Sequence, residues 1–345
     1  MKEINKYKTN QAAGIPLNAN ENPLNIHEQV LEDIKKALSN VEFNRYPDDE
    51  CNELKAAYGK LINMPANQII VGNGSDEMLG LLISLNITHG KKLYTLERDF
   101  GMYNYYTSMN DGEVITYPLD LDADFDAEMF CKLGRELDID LIMFSNPNNP
   151  TGKLVKKDDL LMILEAFRDK IVVIDEAYIE FAAENSTMIP YVDKYPNLIV
   201  TRTLSKAFGL AAIRCGFMIG NAEMIERIKA YKVPYDVNSV TQMIASIALE
   251  YCEPQKAVVE IIKAERNAVY MEIMKLKANN FKVYKSSANY LYGTTKDKAK
   301  FLKAFEDAGI KIRNYEDDSF RITIGTHEQN VAVLNVLSKF AEVES

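Results

Sequence analysis

The sequence predicts an α/β protein in which a large domain with a mostly parallel sheet is followed by a smaller α/β domain. Its first part contains short apolar runs that end in Gly, Asn, Asp or Thr: QIIVGNG, KKLYTL, DLIMFSN, KIVVIDEA and NLIVTRT. Helical patterns such as SDEMLGLLISL and DDLLMILEAFRD lie between several of these runs. Strands that are apolar throughout and alternate with helices are typical of βαβ units, whose parallel sheet is buried on both faces.

The smaller domain is predicted from a change of pattern after about residue 245. A long charged helix is followed by the strand-like runs YLYGTT, IKIRNY and SFRITIGT and by a helix, KAKFLKAFEDA, that Gly309 should end. We therefore expect an N-terminal arm over 1–30 that belongs to the small domain, a large domain over 31–245 and a small domain over 246–345. The polar stretch PLNANENPLN in the arm is expected outside the core, where it crosses to a neighbouring subunit or lines a cleft.

Composition narrows the possible functions. The chain has 345 residues, of which 47% are hydrophobic, and a formal charge of -10. Because nucleic-acid affinity comes largely from clustered Lys and Arg, this charge disfavours a nucleic-acid partner and favours a small-molecule one. The scattered cysteines and histidines predict neither a zinc site nor a disulfide framework. The N-terminus shows no signal peptide and no run reaches about 18 apolar residues, so we expect a cytoplasmic protein without a membrane span.

Polar residues follow each predicted strand, at the edge where open α/β sheets bind ligands. After QIIV, the segment GNGSDE leads into a helix, and the backbone N–H groups at Ser75 and Asp76 would attract a phosphate. Asp76 and Glu77 could equally serve only as helix caps. After DLIMF, SNPNNPTG forms a turn that carries Asn149, although turn chemistry alone would explain this stretch.

Two further strand ends carry charges that are costly to bury. Asp175 closes KIVVID, and a carboxylate buried there is unfavourable unless a cationic group pairs with it. That group could belong to a ligand, but a helix cap or an arginine partner would equally explain the residue. Lys206 follows NLIVTRT, close to Ser205 and Arg214; a lone lysine is usually a solvated surface residue. Together the four strand ends suit one ligand that is anionic at one end and carries a basic ring nitrogen and an aldehyde. Pyridoxal phosphate has these features.

Six motifs in order carry a resemblance to a known family: NANENP, RYPD, GSDE, SNPNNPTG, DEAY and TLSKAFGLAAIRCG. With them the chain resembles the class I/II, fold type I pyridoxal phosphate aminotransferases over nearly its whole length, and within them the histidinol-phosphate branch. The resemblance implies the fold type I architecture and pyridoxal 5'-phosphate as cofactor. It also implies a ping-pong transaminase of histidine biosynthesis, which couples L-histidinol phosphate and imidazole acetol phosphate with 2-oxoglutarate and glutamate.

The resemblance also implies catalytic roles. Lys206 would form a Schiff base with the cofactor and then move a proton as general base and acid, with a pKa lowered by nearby cations. Asp175 would keep the ring nitrogen protonated, and Tyr178 and Asn149 would bind the phenolic oxygen of the ring. Phe100, with Tyr103 next, is expected to stack on the ring, although TLERDFGMYNYY lacks the proline that the family usually has there.

Binding residues for phosphate and substrate follow in the same way. The cofactor phosphate would be bound by Ser75, Asp76, Thr203, Ser205 and Arg214, and by Tyr46 of the other subunit of a homodimer. Tyr46 could instead be a plain aromatic in a proline turn. Arg321 would grip the substrate's carboxylate or phosphate. Asn20 of the arm and Arg313 are further substrate candidates, Arg313 being otherwise a solvated strand residue.

Three other functions stay open at this stage. Decarboxylases of amino-acid phosphates, such as threonine phosphate, share nearly all these motifs, and a broad aromatic aminotransferase would share them too. The arm has Leu24 and Asn25 where the family commonly has an aromatic and a glycine, which leaves the substrate undecided. Aminotransferase-like ligand sensors of transcription regulators carry an additional basic DNA-binding domain, which this acidic sequence does not show.

Overall fold

The computed structural model describes residues 14–342. Residues 1–13, on which the expectation of no signal peptide and the first part of the predicted arm rest, lie outside the described residues. The described helices are α1 (Glu28–Leu38), α2 (Asn52–Ile62), α3 (Ser75–Asn86), α4 (Gly101–Met109), α5 (Ala127–Glu136), α6 (Lys157–Ala166), α7 (Ala222–Lys229), α8 (Ser239–Glu250), α9 (Cys252–Lys275), α10 (Lys298–Asp307) and α11 (His327–Glu342). The strands are β1 (Ile15–Leu17), β2 (Ile69–Gly72), β3 (Lys92–Leu96), β4 (Glu113–Tyr117), β5 (Leu141–Ser145), β6 (Ile171–Asp175), β7 (Leu198–Thr203), β8 (Gly216–Gly220), β9 (Phe281–Val283), β10 (Tyr290–Thr295), β11 (Ile310–Asn314) and β12 (Ser319–Thr323). No helix in this part of the chain has the length and apolarity that a membrane crossing requires.

The large sheet has the strand order β2-β8-β7-β6-β5-β3-β4. It is parallel from β7 through β4, and β8 runs antiparallel to both of its neighbours. All five apolar runs that the sequence predicted as strands lie in it, as β2, β3, β5, β6 and β7. The predicted mostly parallel sheet is therefore confirmed.

Both faces of the large sheet are buried, which explains why its strands are apolar throughout. In β5, Ile142 and Phe144 pack into the core cluster that contains residues of α2, α5 and α6. The alternate residues Leu141 and Met143 pack into the opposite cluster, with residues of α3, α4 and α7. Each strand thus contributes side chains to two cores, and every strand except the antiparallel β8 has its carboxyl end at a common edge.

The small sheet has the order β1-β11-β12-β10-β9 and contains the three strand-like runs predicted near the C-terminus. β1 comes from the arm and pairs in parallel with β11, so the arm belongs to the same sheet as strands almost 300 residues later in the sequence. The expectation that the stretch 16–25 lies outside the core is partly wrong, because Leu17 and Asn20 are buried. Leu17 packs in the small-domain core, and the Asn20 backbone N–H donates to the Thr323 hydroxyl.

The predicted domain boundaries stay a prediction. The boundary at 245/246 falls inside α8, which contacts α1 and α2. The helix predicted before Gly309 is α10, and Gly309 has a φ of +66°, a left-handed conformation that favours glycine after a helix.

A buried network of ion pairs connects β7 with the segment that follows β6. The Arg202 Nε donates to Glu176 Oε2 at 2.8 Å, and its Nη1 donates to Glu180 Oε1 at 2.7 Å. The Arg202 side chain is 9% exposed and that of Glu176 is fully buried. Glu176 directly follows Asp175, so this pair holds the backbone from which Asp175 projects.

We predict that Arg202→Met lowers the free energy of unfolding by about 3–5 kcal/mol, because it leaves Glu176 buried without its cationic partner. Urea denaturation measures this loss. Arg168→Met is the matched control, since the Arg168–Glu165 pair is 57% exposed on both sides, and we expect it to cost no more than about 1 kcal/mol. Equal losses in the two variants would contradict the prediction.

Candidate active site

The carboxyl ends of β5, β6 and β7 meet the arm and β12 at one edge of the large sheet. Ser145, Asp175 and Thr201 lie side by side there, because Ser145 pairs in register with Asp175 and Asp175 with Thr201. Arg321, on β12 of the small sheet, reaches Asn149 just beyond β5. Residues from distant parts of the chain thus share one cleft.

Asp175 is a buried carboxylate with two hydroxyl donors. Thr201 donates to its Oδ1 at 2.9 Å, and the Tyr103 hydroxyl donates to its Oδ2 at 3.0 Å. Burial raises the pKa of Asp175 to about 6, against the lowering effect of these hydrogen bonds. Among residues 14–342, no arginine, lysine or histidine forms a salt bridge with it, so the alternative of an arginine partner is not seen.

Sequence reasoning did not assign Thr201 and Tyr103 to Asp175. Thr201 lies two residues before Thr203 on β7, and alternate residues of a strand point to the same face. The period of the strand could therefore have indicated that Thr201 faces the site together with Thr203. Tyr103 is 72 residues from Asp175, and no local pattern links them.

Lys206 follows β7 and is half-buried. Its Nζ donates to the Ala19 carbonyl of the arm at 2.9 Å and lies 5.9 Å from the centroid of the Tyr178 ring. Burial, and secondly the nearby Arg321 charge, lower the pKa of Lys206 to about 8. The sequence led us to expect neighbouring cations as the cause, whereas burial is the larger effect.

The arm also contacts Tyr178 and the backbone beside Lys206. Asn20 Nδ2 donates to the Tyr178 hydroxyl at 3.0 Å. Asn22 Nδ2 donates to the carbonyls of Lys206 and Ala207, at 3.4 and 3.2 Å. Burial raises the pKa of Tyr178 to about 12, so its hydroxyl stays protonated at neutral pH. The contacts of Asn22 were not foreseen from the sequence.

Arg321 is buried and held in a defined orientation. Its Nη1 donates to Asn149 Oδ1, and its Nη2 donates to the Asn18 carbonyl at 2.9 Å. The guanidinium carbon lies 5.1 Å from the centroid of the Tyr290 ring. A planar guanidinium fixed in this way suits bidentate binding of a carboxylate or phosphate.

The start of α3 has the features of an anion site. Gly74 precedes it with a φ of +82° and provides no side-chain cap for the first backbone N–H groups of the helix. Arg214 stands beside it, with Nη2 3.6 Å from Asp76 Oδ2 and Nη1 3.3 Å from the Ser205 hydroxyl. A Cβ at Gly74 would lie 2.7 Å from Arg214 Nη2, so glycine also makes room for the guanidinium.

The other residues predicted for the phosphate lie at the same place. The Thr203 hydroxyl is 2.9 Å from that of Ser205, and both residues are buried. Glu77 accepts the backbone N–H of Asn73, which precedes the helix, at 2.6 Å, and the N-cap position of α3 has no side-chain cap. Asp76 Oδ1 is buried without a hydrogen-bond partner among the described residues.

Three further residues were predicted for the site: Phe100, Tyr46 and Arg313. Phe100 caps the start of α4, with its ring edge-on to Tyr103 at a centroid distance of 5.7 Å. Tyr46 is 81% exposed and stacks on Tyr235 at 4.8 Å. Arg313 pairs in register with Arg321 across β11 and β12, on a partly exposed strand. The roles of these residues stay predictions.

These residues can be tested as a cofactor site by their chemistry. A buried carboxylate whose donors are the uncharged groups of Thr201, Tyr103 and the Ala177 backbone suits a ring that brings a charged N–H. A helix start without a side-chain cap, next to Arg214 and two hydroxyls, suits a phosphate. Lys206, whose lowered pKa leaves more of its amine unprotonated, suits an aldehyde. The donor set fits pyridoxal phosphate.

Comparison with known proteins agrees with this chemistry. The family model for aminotransferase class I and II matches residues 12–337. A histidinol-phosphate aminotransferase of Clostridium novyi (strain NT) is 36% identical over 344 residues, which cover 97% of this chain and 95% of the relative.

Two solved structures have the same fold. The histidinol-phosphate aminotransferase from Sinorhizobium meliloti, solved in complex with pyridoxal-5'-phosphate, has a TM-score of 0.87 at 22% identity and covers 96% of this chain and 92% of that one. The enzyme from Clostridium acetobutylicum has a TM-score of 0.86 at 25% identity and covers 95% and 99%. The predicted fold type I architecture is confirmed, and the chain belongs to the class I and II aminotransferase family.

Proposed function

We propose that this aminotransferase uses pyridoxal 5'-phosphate and converts L-histidinol phosphate and 2-oxoglutarate to imidazole acetol phosphate and L-glutamate in histidine biosynthesis. One observation carries the proposal: the Lys206 amine and the Arg321 guanidinium bind the adjacent arm carbonyls of Ala19 and Asn18. The reactive amine of Lys206 and the anion-binding guanidinium of Arg321 (the anion grip) therefore lie side by side. The relatives named as histidinol-phosphate aminotransferases support the substrate.

The cofactor, when bound, supplies a ring that withdraws electrons from the substrate's amino-bearing carbon. Its phosphate would be held by the backbone at the start of α3 and by the side chains of Thr203, Ser205 and Arg214. Asp175 would bind the ring nitrogen, and its burial among hydroxyls keeps water away from that contact. Tyr178 and Asn149 would bind the ring oxygen, and Phe100 would cover one face.

Lys206 would hold and move the proton. With a pKa lowered to about 8, a sizeable fraction of its free amine is unprotonated near neutral pH, so it can take a proton from the substrate α carbon and return it to another atom. The amine lies between the Ala19 carbonyl, to which it donates, and the ring of Tyr178.

Arg321 would orient both substrates. Glutamate offers a carboxylate and histidinol phosphate a phosphate, and a guanidinium binds either through two parallel hydrogen bonds. Asn149 fixes the guanidinium from the large domain, and the arm fixes it from the other side. Asn20 and Arg313 are the further residues that we propose to contact substrate.

A homodimer would complete the site. Tyr46 is 81% exposed, and exposed apolar side chains lie close to it in the sequence or near its stacking partner Tyr235: Phe43, Tyr231 and Val233. We propose that this surface packs on a second copy and that Tyr46 reaches the cofactor phosphate of that copy. The acidic composition supports small-molecule partners and disfavours nucleic acid. We further propose a cytoplasmic location without a membrane partner.

We predict that the purified protein forms glutamate from 2-oxoglutarate only when L-histidinol phosphate is present. Lys206→Ala should lower kcat by about 10²–10⁴-fold or more, because the proton carrier is lost. Glutamate production measured with a coupled dehydrogenase checks both results. Carbon dioxide released from threonine phosphate, without glutamate, would show that the chain is a decarboxylase instead.

Arg321→Lys should lower kcat/KM for glutamate and for histidinol phosphate by about 10–100-fold, since a charged hydrogen bond contributes about 1.5–3 kcal/mol. Steady-state kinetics with each amino donor measures the loss. Arg313→Lys, on the neighbouring strand, should have a smaller effect. A loss confined to one of the two donors would contradict a shared anion grip.

Light scattering should give twice the chain mass of 39.1 kDa. Tyr46→Phe should weaken pyridoxal phosphate binding by about tenfold, as expected when one hydrogen bond to a charged group is lost. Tyr231→Phe is a matched control on the same surface, and its affinity should stay unchanged. A monomer with full cofactor affinity would overturn the shared site.

A further inference from the structure

A second carboxyl, that of Asp99, lies beneath the loop that carries Asn149, and the proposed mechanism does not use it. Asp99 Oδ1 accepts the Ser145 hydroxyl at 2.5 Å and the Phe100 backbone N–H at 2.8 Å. Its Oδ2 lies 3.2 Å from the Ser145 backbone N–H and 3.4 Å from the Thr95 hydroxyl. Asp99 thus joins the ends of two neighbouring strands, β3 and β5.

A continuous chain of hydrogen bonds runs from Asp99 to the anion grip. The single Ser145 hydroxyl hydrogen points to Asp99, so the oxygen is left to accept the Asn149 backbone N–H, at 2.8 Å. Asn149 Oδ1 in turn accepts from Arg321 Nη1. The residue before Asp99 also contacts this loop, because Asn148 Nδ2 donates to the Arg98 carbonyl at 2.9 Å.

The surroundings of Asp99 favour its neutral form. Burial raises its pKa to about 8, against the hydrogen bonds from Ser145 and Phe100, and the nearby charge of Asp175 adds to the increase. The titratable groups that face it are Asp175 from β6, Tyr103 from α4 and Tyr290 from β10, all acidic. Arg98, the adjacent cation, is directed to Glu97 and to Asp317.

We propose that Asp99 is a positioning residue that, through the Ser145 hydroxyl, holds Asn149 against Arg321. Burial raises the pKa of its carboxyl to about 8, so Asp99 is largely neutral at neutral pH. Asp175 then carries the only negative charge of the pair at neutral pH. The inference rests on the proposed function, which gives Asn149 and Arg321 their roles. Ionisation of Asp99 above about pH 8 adds a negative charge close to the anion grip, and an anionic substrate binds less tightly there.

Three variants of the cofactor-loaded enzyme separate these effects. Asp99→Asn copies the neutral acid, Asp99→Ala removes the acceptor for Ser145, and Ser145→Ala interrupts the chain while Asp99 remains. Asp124→Asn is the control, since the side chain of Asp124 is 82% exposed.

At pH 7, Asp99→Asn and the control should keep the wild-type KM for glutamate. Asp99→Ala and Ser145→Ala should raise this KM about tenfold, as expected for one lost hydrogen bond, with a smaller change in kcat. Between pH 7.5 and about 9, the wild-type KM should rise more steeply than that of Asp99→Asn, because only the wild type gains the Asp99 charge. Identical KM values in all variants at every pH would overturn the proposal.

Thermal unfolding gives a readout that does not depend on activity. A carboxyl whose pKa is raised in the folded state contributes stability at low pH and loses it as the pH rises from about 4 towards about 8. The melting temperature of Asp99→Asn minus that of the wild type should therefore increase from pH 5 to pH 9. A constant difference would show that Asp99 is not a neutral acid in the folded protein.

The two readouts also separate this inference from the proposed function. If the proposed function is wrong, the wild type forms no glutamate, while the pH-dependent melting difference persists. If the wild type is active but the variants keep its KM and the melting difference is constant, the function stands and the role of Asp99 is refuted.

Discussion

The buried carboxylate of Asp175 is the constraint on which the site depends. It closes a strand that is covered on both faces, where an unpaired charge is unfavourable. The structure surrounds it with hydroxyl donors from β7 and α4 and with a rigid ion pair at the next residue, Glu176. These contacts hold the carboxylate without neutralising it. A partner that brings positive charge would complete its surroundings, and in the proposed function the protonated nitrogen of the cofactor ring would be that partner.

The arm links the two sheets at this point. Its strand β1 belongs to the small sheet, while its carbonyls at Asn18 and Ala19 receive the side chains of Arg321 and Lys206. Movement of the arm would therefore change the surroundings of the reactive amine and of the anion grip together. This coupling gives a physical reason for placing a polar, asparagine-rich segment between two hydrophobic cores. Asn22 donates to the backbone carbonyls of Lys206 and Ala207, and the Asn20 side chain bonds the hydroxyls of Tyr178 and Thr323.

Local patterns were sufficient to predict the parallel sheet and the strand ends at which Asp175 and Lys206 lie. Strand-length apolar runs and the residues that end them are adjacent in sequence, so their geometry follows from the period of the strand. Contacts between distant elements were not predictable in this way. Tyr103 reaches Asp175 across 72 residues, and the hydrogen bonds that connect Asp99 with Arg321 run through Ser145 and Asn149. The arm was misjudged because its composition is polar, whereas its burial arises from pairing with β11 at the other end of the chain.

The covalent role of Lys206 is tested most directly by borohydride reduction of the protein after incubation with pyridoxal phosphate, followed by peptide mass spectrometry. We expect one label per chain, on Lys206 in the peptide that contains TLSKAFGLAAIR. Asp175→Asn should need more cofactor to reach the same labelling, because the ring nitrogen loses its carboxylate. Labelling spread over surface lysines, with Lys206 unmodified, would contradict the placement of the cofactor at this edge of the sheet.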